Sequence, residues 1–343
     1  MTFTILMIVF LVLLPTTVTP YQTILVDNLK TYHRIKLPSS VIGPESLAFD
    51  AANEGPYVGV ADGRVLKWNG HVQGWTSFAV PPRHRGVSSE ECDGNSNISM
   101  EAKCGRPLGL QFHKATGDLY ICDAYFGLMV VGKNGGVATR LTHEDPRGVA
   151  IRFTNGVDIN QETGIVYFTD TSTKFQRSAW VWAVATDDAT GRFMSYNPRT
   201  KEVKVLVENL EFANGVSLSK DGRFALICET TKQHVLRYWL KGHHKYKARK
   251  LEVFANLTTY PDNVKRNSLG EFWVGLNSGR GTIHKVKDSE TADTEIIGIK
   301  YAEGGKVLET LYQNDIMNSV SELVENKGTL WIGSGVAPFV SMF

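Results

Sequence analysis

The sequence predicts an all-β protein, specifically a six-bladed β-propeller. Three observations lead to this fold: a strand–turn–strand pattern recurs along the 343 residues, a glycine lies in each turn, and a β-rich run follows each glycine. The turn glycines are Gly55, Gly117, Gly164, Gly222, Gly270 and Gly328. Their mean spacing of about 55 residues is near the repeat length of propeller blades. A large β-sandwich, the alternative fold, does not predict such a regular recurrence.

The clearest copy of the repeat runs from Ala213 to Ile227. It starts with the polar Asn214, continues with apolar residues two and four positions later, turns at Gly222 and returns as an apolar run. This alternation is typical of a strand with one buried face, and further strand-like runs follow most copies. With four strands in each blade, the innermost strands are predicted to begin near residues 45, 108, 155, 214, 262 and 320.

Length and composition are compatible with a single large domain. A chain of 343 residues could hold two or three ordinary domains, but propellers are long single units, so residues 21–343 are assigned to one propeller. The hydrophobic fraction of 42% is enough to build large cores. A net charge of +2 gives no reason to predict a nucleic-acid partner, and the basic run from Lys241 to Lys250 is interpreted as a solvated loop.

The first 20 residues have the pattern of a secretory signal peptide. An apolar run from Ile5 to Leu14 is followed by small and polar residues up to Pro20. The run is too short for a comfortable membrane span, although an uncleaved anchor is the alternative and the cleavage site stays open. No other stretch could cross a bilayer. We therefore expect a protein of the secretory pathway, in the vacuole or outside the cell, with no stable membrane span after cleavage.

A secreted protein can form disulfides and can be glycosylated, so its cysteines and two sequons can be interpreted. Cys92 and Cys104 flank a polar loop and are predicted to form a disulfide in an oxidising compartment. The other two cysteines lie in apolar strands and are interpreted as buried free thiols: Cys122 and Cys228. Asn97 and Asn256 each begin an acceptor sequon, so both are candidate glycosylation sites.

Two segments outside the repeats have predicted roles in the ring. Propellers often close by pairing a terminal strand with the last blade, and we expect Thr23 to Val26 to pair beside the blade that ends near Phe343. The connection from Lys174 to Asn197 is too polar and irregular to be blade core throughout. It either caps the central opening or forms a loop with one hydrophobic anchor.

The residues at the mouths of the innermost strands are the candidate site. Propeller geometry brings these mouths together around one axis, although they are far apart in the sequence. Counting back from each turn glycine places these residues at the mouths: Glu45, Leu108, Asn155, Asn214, Asp262 and Val320. Each polar one alone is better explained as a turn or strand-end residue. Their shared offset from the turn glycines is what favours a common site.

Five oxygen-bearing residues at these mouths predict a calcium site. Its ligands are two carboxylates and three amides: Glu45, Asn155, Asn214, Asp262 and Asn263. An all-oxygen set with two negative charges suits Ca²⁺, which takes six to eight oxygens. Because no cysteine or histidine occupies these positions, zinc and copper are not the expected metals.

Several segments resemble known propeller families. Gly43–Glu45, Ala213–Val216 and Pro261–Val264 resemble the calcium-binding motifs of the paraoxonase and gluconolactonase propellers. Two further segments, Cys104–Gly109 and Tyr167–Arg177, resemble the strictosidine synthase-like family, which includes the adipocyte plasma-membrane-associated protein. The resemblance covers nearly everything after the signal peptide. It implies a six-bladed propeller and, as in plant members, a vacuolar or secreted location.

The resemblance leaves the reaction open. Strictosidine synthase joins an amine and an aldehyde by a Pictet–Spengler condensation, with a catalytic Glu on the inner strand of the last blade. Ser321 stands at that position here. The adjacent Glu322 is expected on the opposite face of the strand, and only a bulge could change this. The synthase also has an aromatic residue at the position of Asn155, so two departures count against strictosidine synthesis.

A hydrolase is the leading interpretation of the site. Paraoxonases have a histidine base where this chain has Leu108, but gluconolactonase-type propellers lack that histidine and still hydrolyse lactones. The hypothesis is that Ca²⁺ polarises a substrate carbonyl and that a water activated beside Asp262 attacks it, which makes Asp262 the catalytic residue. Activated lactones and aryl esters are the expected substrates. The alternatives are a Pictet–Spengler-type enzyme that uses alkaloid precursors and a non-catalytic propeller with structural Ca²⁺.

Overall fold

The computed structural model describes residues 32–82, 86–242, 249–277, 295–312, 317 and 319–343, and the backbone alone of 22–25 and 313. The predicted signal peptide, residues 1–20, lies outside this part of the chain. Six sheets surround one axis, so the prediction of a six-bladed propeller is confirmed. Each blade is an antiparallel sheet of four main strands, which run in chain order from the axis outward in the first five blades, while the outermost strand of the sixth comes from the beginning of the chain.

The first three blades contain the following strands, in order from the inner to the outer edge of each sheet. Blade one contains Leu47–Ala48, Tyr57–Gly59, Val65–Trp68 and Trp75–Val80, with Gly136–Val137 added in parallel at its outer edge. Blade two contains Pro107–His113, Asp118–Asp123, Gly127–Val131 and Thr139–Thr142. Blade three contains Thr154–Ile159, Val166–Asp170, Gly191–Asn197 and Glu202–Leu210.

The last three blades follow the same order. Blade four contains Ala213–Leu218, Phe224–Glu229, His234–Trp239 and Leu251–Asn256. Blade five contains Pro261–Arg266, Phe272–Leu276, Glu295–Tyr301 and Val307–Gln313. Blade six contains Val320–Asn326, Thr329–Ser334 and Phe339–Met342, and its outermost strand is His33–Lys36.

Short helices occupy the connections between strands. The α-helices are Gly70–Gln73, Ser89–Cys92, Glu101–Cys104 and Trp180–Ala185, and the 3₁₀ turns are Ile98–Met100 and Arg177–Ala179. Within the described residues, no helix combines the length and apolar character that a membrane crossing requires. The helix Trp180–Ala185 belongs to the long connection of blade three, and Arg177 and Trp180 from this connection line the central cavity. The part of the connection before Gly191 is therefore a cap on the opening, whereas Gly191–Asn197 forms a buried strand of blade three.

The ring is closed by a different strand from the predicted one. His33–Lys36 pairs antiparallel with Phe339–Met342 of blade six, so closure by a terminal strand is confirmed. The assignment of Thr23–Val26 to that role was wrong, because Gln22–Leu25 pairs in parallel with Val307–Gln313 of blade five. Both segments have strand propensity, but only His33–Lys36 leads directly into blade one, which is the neighbour of blade six. Both strands cover sheet edges that would otherwise be exposed.

Apolar side chains fill the spaces between blades. Between blades four and five, for example, Leu226 and Phe224 pack with Val264 and Phe272. Close to the axis the inner strands approach one another so tightly that side chains do not fit. A Cβ atom on Gly215 would lie 2.5 Å from the Cα of Asn263, so glycine is needed there. This close approach brings the mouths of neighbouring blades within hydrogen-bonding distance.

A bulge follows the mouth of the inner strands and sets which side chains face the axis. In blade five the pairing shifts between Pro261 and Val264, and in blade six it shifts between Val320 and Leu323. A bulge re-aims the side chains that it contains. The two shifts are equivalent, so Val320 of blade six corresponds to Pro261 of blade five and Leu323 corresponds to Val264. Ser321 therefore corresponds to Asp262 and is the mouth residue of blade six. The prediction of Val320 at this mouth was off by one residue.

The cysteine predictions are confirmed. Cys92 and Cys104 form a disulfide with a Cα–Cα distance of 5.5 Å, and both are buried. Cys122 and Cys228 are buried free thiols, and burial raises the pKa of each well above its usual value. Asn97 and Asn256 are both exposed, and their glycosylation stays a prediction.

Candidate functional site

A cavity of about 200 Å³ opens at the mouths of the inner strands. Its polar wall includes Glu45, Asn155, Asp262, Asn277 and Arg177. Its apolar wall consists of Leu108, Phe153, Trp180, Phe212 and Val336. The cavity therefore combines an oxygen-rich floor with aromatic and aliphatic sides, which is the composition expected of a small-molecule site.

The structure brings the five predicted ligand residues together around the axis. All five are buried, although Asn214 and Asn263 do not line the cavity itself. The Asn214 Nδ2 donates to the Asp262 Oδ1 at 2.7 Å. The Asn263 Nδ2 donates to the Glu45 Oε1 at 3.1 Å, which links blades five and one. Hydrogen bonds between the mouths of different blades thus hold the group in place.

Three of these residues have a buried oxygen that accepts no hydrogen bond from any described residue. The atoms are the Glu45 Oε2, the Asn155 Oδ1 and the Asn214 Oδ1. Buried polar atoms are nearly always hydrogen-bonded, so three orphaned acceptors in one place need an explanation. A cation would satisfy all three together, and carboxylate and amide oxygens are the ligands that Ca²⁺ takes. These residues therefore fit a hard cation.

The electrostatic environment of Glu45 also fits a bound cation. Burial raises the pKa of Glu45 to about 8, and the charge of Asp262 adds to the shift, while Arg106 opposes it. Arg106 is itself fully buried, and its Nη1 donates to the Gly43 backbone oxygen at 2.8 Å. Burial also lowers the pKa of Arg106 to about 10. The positive charge that the protein supplies thus does not fully balance the negative charges of Glu45 and Asp262. A divalent cation would balance them.

The ligand chemistry separates this site from a zinc centre. Nowhere in the described ranges do three or more His, Cys, Asp or Glu side chains cluster so that they could hold a metal. The two carboxylates at the mouth are supplemented only by amides. Amide oxygens favour hard cations over zinc or copper.

Below the mouth, Lys265 and Glu322 occupy the axis. The Lys265 Nζ lies 3.4 Å from the Glu322 Oε2 and donates to the Leu110 backbone oxygen of the opposite blade at 3.1 Å. Glu322 also accepts from the Ser46 Oγ at 3.0 Å and from the Leu47 backbone nitrogen at 2.6 Å. Its carboxylate is held by these partners and does not line the cavity.

The expectation that Glu322 faces away from the axis was wrong. The bulge in the inner strand of blade six turns Glu322 toward both flanking blades, where it meets Ser46 and Lys265. At the mouth position itself, the Ser321 Oγ donates to the Glu45 backbone oxygen at 2.6 Å. The Ser321 side chain therefore holds the backbone of blade one in place at Glu45.

The sequence reasoning missed the cavity walls. Phe153 and Phe212 lie two residues before Asn155 and Asn214, and this repeated aromatic–X–Asn spacing was a usable signal. Arg177 had no such signal, because its place depends on how the cap packs. Its Nη1 lies 2.6 Å from the buried Glu101 Oε1.

Comparisons by sequence give consistent matches. A family model described as strictosidine synthase matches residues 155–243, and one described as strictosidine synthase-like, N-terminal, matches residues 27–68. The chain is 45% identical over 325 residues to strictosidine synthase-like protein 10 of Arabidopsis thaliana, which covers 88% of this chain and 85% of that protein. It is 42% identical over 345 residues to strictosidine synthase-like protein 3 of the same plant, covering 92% and 86%.

Solved structures share the fold at low sequence identity. A gluconolactonase from Xanthomonas campestris aligns with a TM-score of 0.62 and 13% identity, over 91% of this chain and 88% of that one. The calcium-binding protein regucalcin from Agrobacterium tumefaciens aligns with a TM-score of 0.56 and 12% identity, over 90% and 92%. At such identities the likeness extends to the fold alone.

Proposed function

The chain belongs to the strictosidine synthase-like family, and we propose that it is a calcium-dependent hydrolase of lactones or aryl esters. The observation that carries the proposal is the set of three orphaned buried oxygens on Glu45, Asn155 and Asn214 beside the Asp262 carboxylate. The shared fold with a gluconolactonase and with a calcium-binding protein supports it. Ser321, in place of the synthase's glutamate, supports it further.

The proposed ligands divide into direct ligands and a supporting residue. Glu45, Asn155, Asn214 and Asp262 would supply oxygens to Ca²⁺, and their two negative charges would balance the ion. Asn263 donates to Glu45 and would hold that carboxylate in position. When bound, Ca²⁺ supplies the Lewis acidity that polarises an ester carbonyl.

Asp262 is the proposed general base. Its carboxylate takes a proton from a water molecule, whose oxygen attacks the carbonyl carbon, and the ester C–O bond then breaks. The proton returns from Asp262 to the departing alkoxide, so the carboxylate is regenerated. Phe153 and Phe212 hold the apolar part of the substrate against the cavity wall. A cavity of about 200 Å³ selects a small substrate or one end of a larger one.

The test is a turnover assay on a panel of lactones and aryl esters, with Ca²⁺ removed by a chelator and then restored. We expect activity to disappear with the chelator and to return with Ca²⁺. Asp262→Ala should abolish both turnover and Ca²⁺ binding, measured by calorimetry, and should keep the β-sheet circular dichroism spectrum. Glu202→Ala removes an exposed carboxylate from the outer strand of blade three and should change neither measurement.

Two results would overturn the proposal. Metal-independent condensation of an amine with an aldehyde would identify a Pictet–Spengler-type enzyme that uses alkaloid precursors. A Ca²⁺-dependent increase in melting temperature without turnover on the whole panel would identify a structural ion. The proposed partner is a small molecule, and the proposed location is the secretory pathway, with the vacuole or the cell exterior as destination.

A further inference from the structure

The second strand of each blade ends beside the mouth of the inner strand. The backbone nitrogen of Thr171 donates to the Phe153 oxygen at 2.8 Å, and that of Thr230 donates to the Phe212 oxygen at 3.1 Å. The backbone nitrogen of Asn277 makes the same bond to the Tyr260 oxygen at 2.9 Å. These three side chains therefore occupy equivalent places in blades three, four and five, next to the proposed ligands.

Each threonine hydroxyl already uses its only proton. The Thr171 Oγ1 donates to the Ala213 backbone oxygen at 2.7 Å, and the Thr230 Oγ1 donates to the Pro261 backbone oxygen at 2.8 Å. Both carbonyls belong to the next blade. A hydroxyl has one donor and two acceptor sites, so each threonine can only accept a further hydrogen bond.

The asparagines supply that bond. The Asn155 Nδ2 donates to the Thr171 Oγ1 at 3.1 Å, and the Asn214 Nδ2 donates to the Thr230 Oγ1 at 3.1 Å. A flipped amide would place its oxygen against a hydroxyl that has no proton left to give. Hydrogen-bond chemistry therefore decides the amide orientation, which X-ray density alone often leaves ambiguous. In that orientation both Oδ1 atoms are the orphaned acceptors at the axis.

Blade five has the same arrangement with different residues. The Asn277 Nδ2 donates to the Asp262 Oδ2 at 3.1 Å and to the Ser319 Oγ at 2.9 Å. The other Asp262 oxygen accepts from Asn214. Asn277 thus aligns the carboxylate of Asp262 as the threonines align the amides.

The residue that follows the second strand differs from blade to blade, and it differs with the residue at the mouth of the inner strand. Where the mouth is the apolar Leu108, the equivalent partner is Ala124, whose backbone nitrogen bonds to the Arg106 oxygen at 3.0 Å. Blade six has Gly335 beside Ser321, bonded in the same way to the Ser319 oxygen at 3.0 Å. A threonine needed only to join neighbouring blades would be expected in these blades too. It occurs where an asparagine has to be oriented.

We infer that Thr171 and Thr230 are positioning residues that turn the amide oxygens of Asn155 and Asn214 toward a bound Ca²⁺, with Asn277 doing the same for Asp262. This inference rests on the calcium site proposed above. The threonines act through the asparagines and do not bind the ion themselves. Outer partners of this kind change metal affinity by about 10- to 100-fold when they are removed.

The experiment compares Thr171→Val with Thr171→Ser by calorimetric titration with Ca²⁺ at a temperature well below melting. Thr171 is chosen because the Asn214 Nδ2, the partner of Thr230, also donates to Asp262. Valine has nearly the same shape but cannot accept the bond that the Asn155 Nδ2 donates, so Asn155 is free to flip, and we expect the Kd for Ca²⁺ to rise at least about 10-fold. Serine keeps the hydroxyl and should hold Kd within about twofold of the wild type. The double variant Thr171→Val, Thr230→Val should bind more weakly than either single variant.

Thr142→Val is the matched control, because the Thr142 Oγ1 also donates to a backbone oxygen, that of Glu144, at 2.9 Å away from the axis. It should lower stability without changing Kd. If Thr171→Val folds and binds Ca²⁺ with the wild-type Kd, the positioning role is wrong while the calcium site stands. If the wild type itself binds no Ca²⁺, the proposed function fails, and this inference fails with it.

Discussion

The charge at the axis is set by single residues, above all by Glu45. Its side chain is buried beside Asp262, and both effects raise its pKa to about 8. Arg106 is a nearby cation that opposes the shift. Protons and the proposed Ca²⁺ would therefore compete for the same carboxylate.

This competition predicts a pH-dependent stability for the Ca²⁺-free protein. A folded-state pKa raised from 4.5 to about 8 means that the folded protein holds the Glu45 proton more tightly than the unfolded chain does. The contribution to stability is therefore complete below pH 4.5 and is lost as pH rises toward 8. Thermal melts in chelator should show this decline, and Ca²⁺ should stabilise more at pH 8 than at pH 5. Glu45→Gln should flatten the profile, and an unchanged slope in that variant would contradict the assignment.

The ion pair below the mouth gives a second residue-scale prediction. Lys265→Met leaves the Glu322 carboxylate, which is almost fully buried, without its cation. We expect a loss of about 3 kcal/mol in the free energy of unfolding, measured with denaturant. Lys265→Met combined with Glu322→Leu should recover much of this loss, because no buried charge then remains. Equal losses in the single and double variants would mean that the pair does not interact.

Sequence spacing alone located the residues that the structure brings together at the axis. Glu45, Asn155, Asn214 and Asp262 share an offset from the turn glycines, and Asn263 follows Asp262. Their role as metal ligands stays a prediction. The cavity walls depend on packing between segments that are distant in the sequence. Trp180 and Arg177 enter the cavity through the fold of the cap, and no local pattern marks them.

At the scale of secondary-structure elements, the cap is attached to the disulfide-bonded loop. Glu101 lies within this loop and receives the Arg177 Nη1 at 2.6 Å and the Tyr125 hydroxyl at 2.9 Å. The hydroxyl oxygen of Tyr125 in turn accepts a hydrogen bond from the Ser178 backbone nitrogen at 3.1 Å. The loop, blade two and the cap are thus joined at one buried carboxylate.

Loss of this attachment should loosen the cap. Arg177→Gln removes the ion pair with Glu101, and we expect faster proteolytic cleavage between residues 174 and 190 because the segment opens more often. Lys174→Gln is the control, since the Nζ of this neighbouring cation lies over the Phe175 ring of the cap itself. Limited proteolysis followed by mass spectrometry measures both rates. Equal rates in the two variants would show that the pair does not hold the cap.

Element boundaries show what sequence patterns miss. Alternation of apolar residues located the strands, but a bulge changes the count by one without changing composition. For this reason the mouth of blade six was assigned to Val320 in place of Ser321, and Glu322 was expected on the wrong face. A backbone irregularity of this kind is decided by the pairing between strands, which a single sequence does not contain.

For the whole molecule, closure of the ring depends on a strand from the beginning of the chain. Ile35 is buried in this strand opposite Val340, whereas its neighbour His33 is exposed. The six-fold repeat predicted the propeller from sequence, because blades of similar length recur. Which of two N-terminal segments closes it could not be predicted, since both have strand propensity.

Weakening this closure should destabilise all six blades together. Ile35→Ala removes buried apolar volume, and we expect a loss of about 3 kcal/mol in the free energy of unfolding. His33→Ala at the exposed position should stay within about 0.5 kcal/mol of the wild type. Denaturant unfolding gives both values, and size-exclusion chromatography detects association through an opened edge. A wild-type stability for Ile35→Ala would mean that closure contributes little.

Lys265 reaches across the axis from blade five to the backbone of blade two, directly beneath the cavity. The tunnel that a propeller encloses is thus obstructed here from within. For the proposed hydrolase, reactant and product would therefore share one doorway, and a departing product would have to leave before the next reactant comes in. Product molecules should accordingly compete with the substrate, and the cap above that doorway would set the pace of exchange.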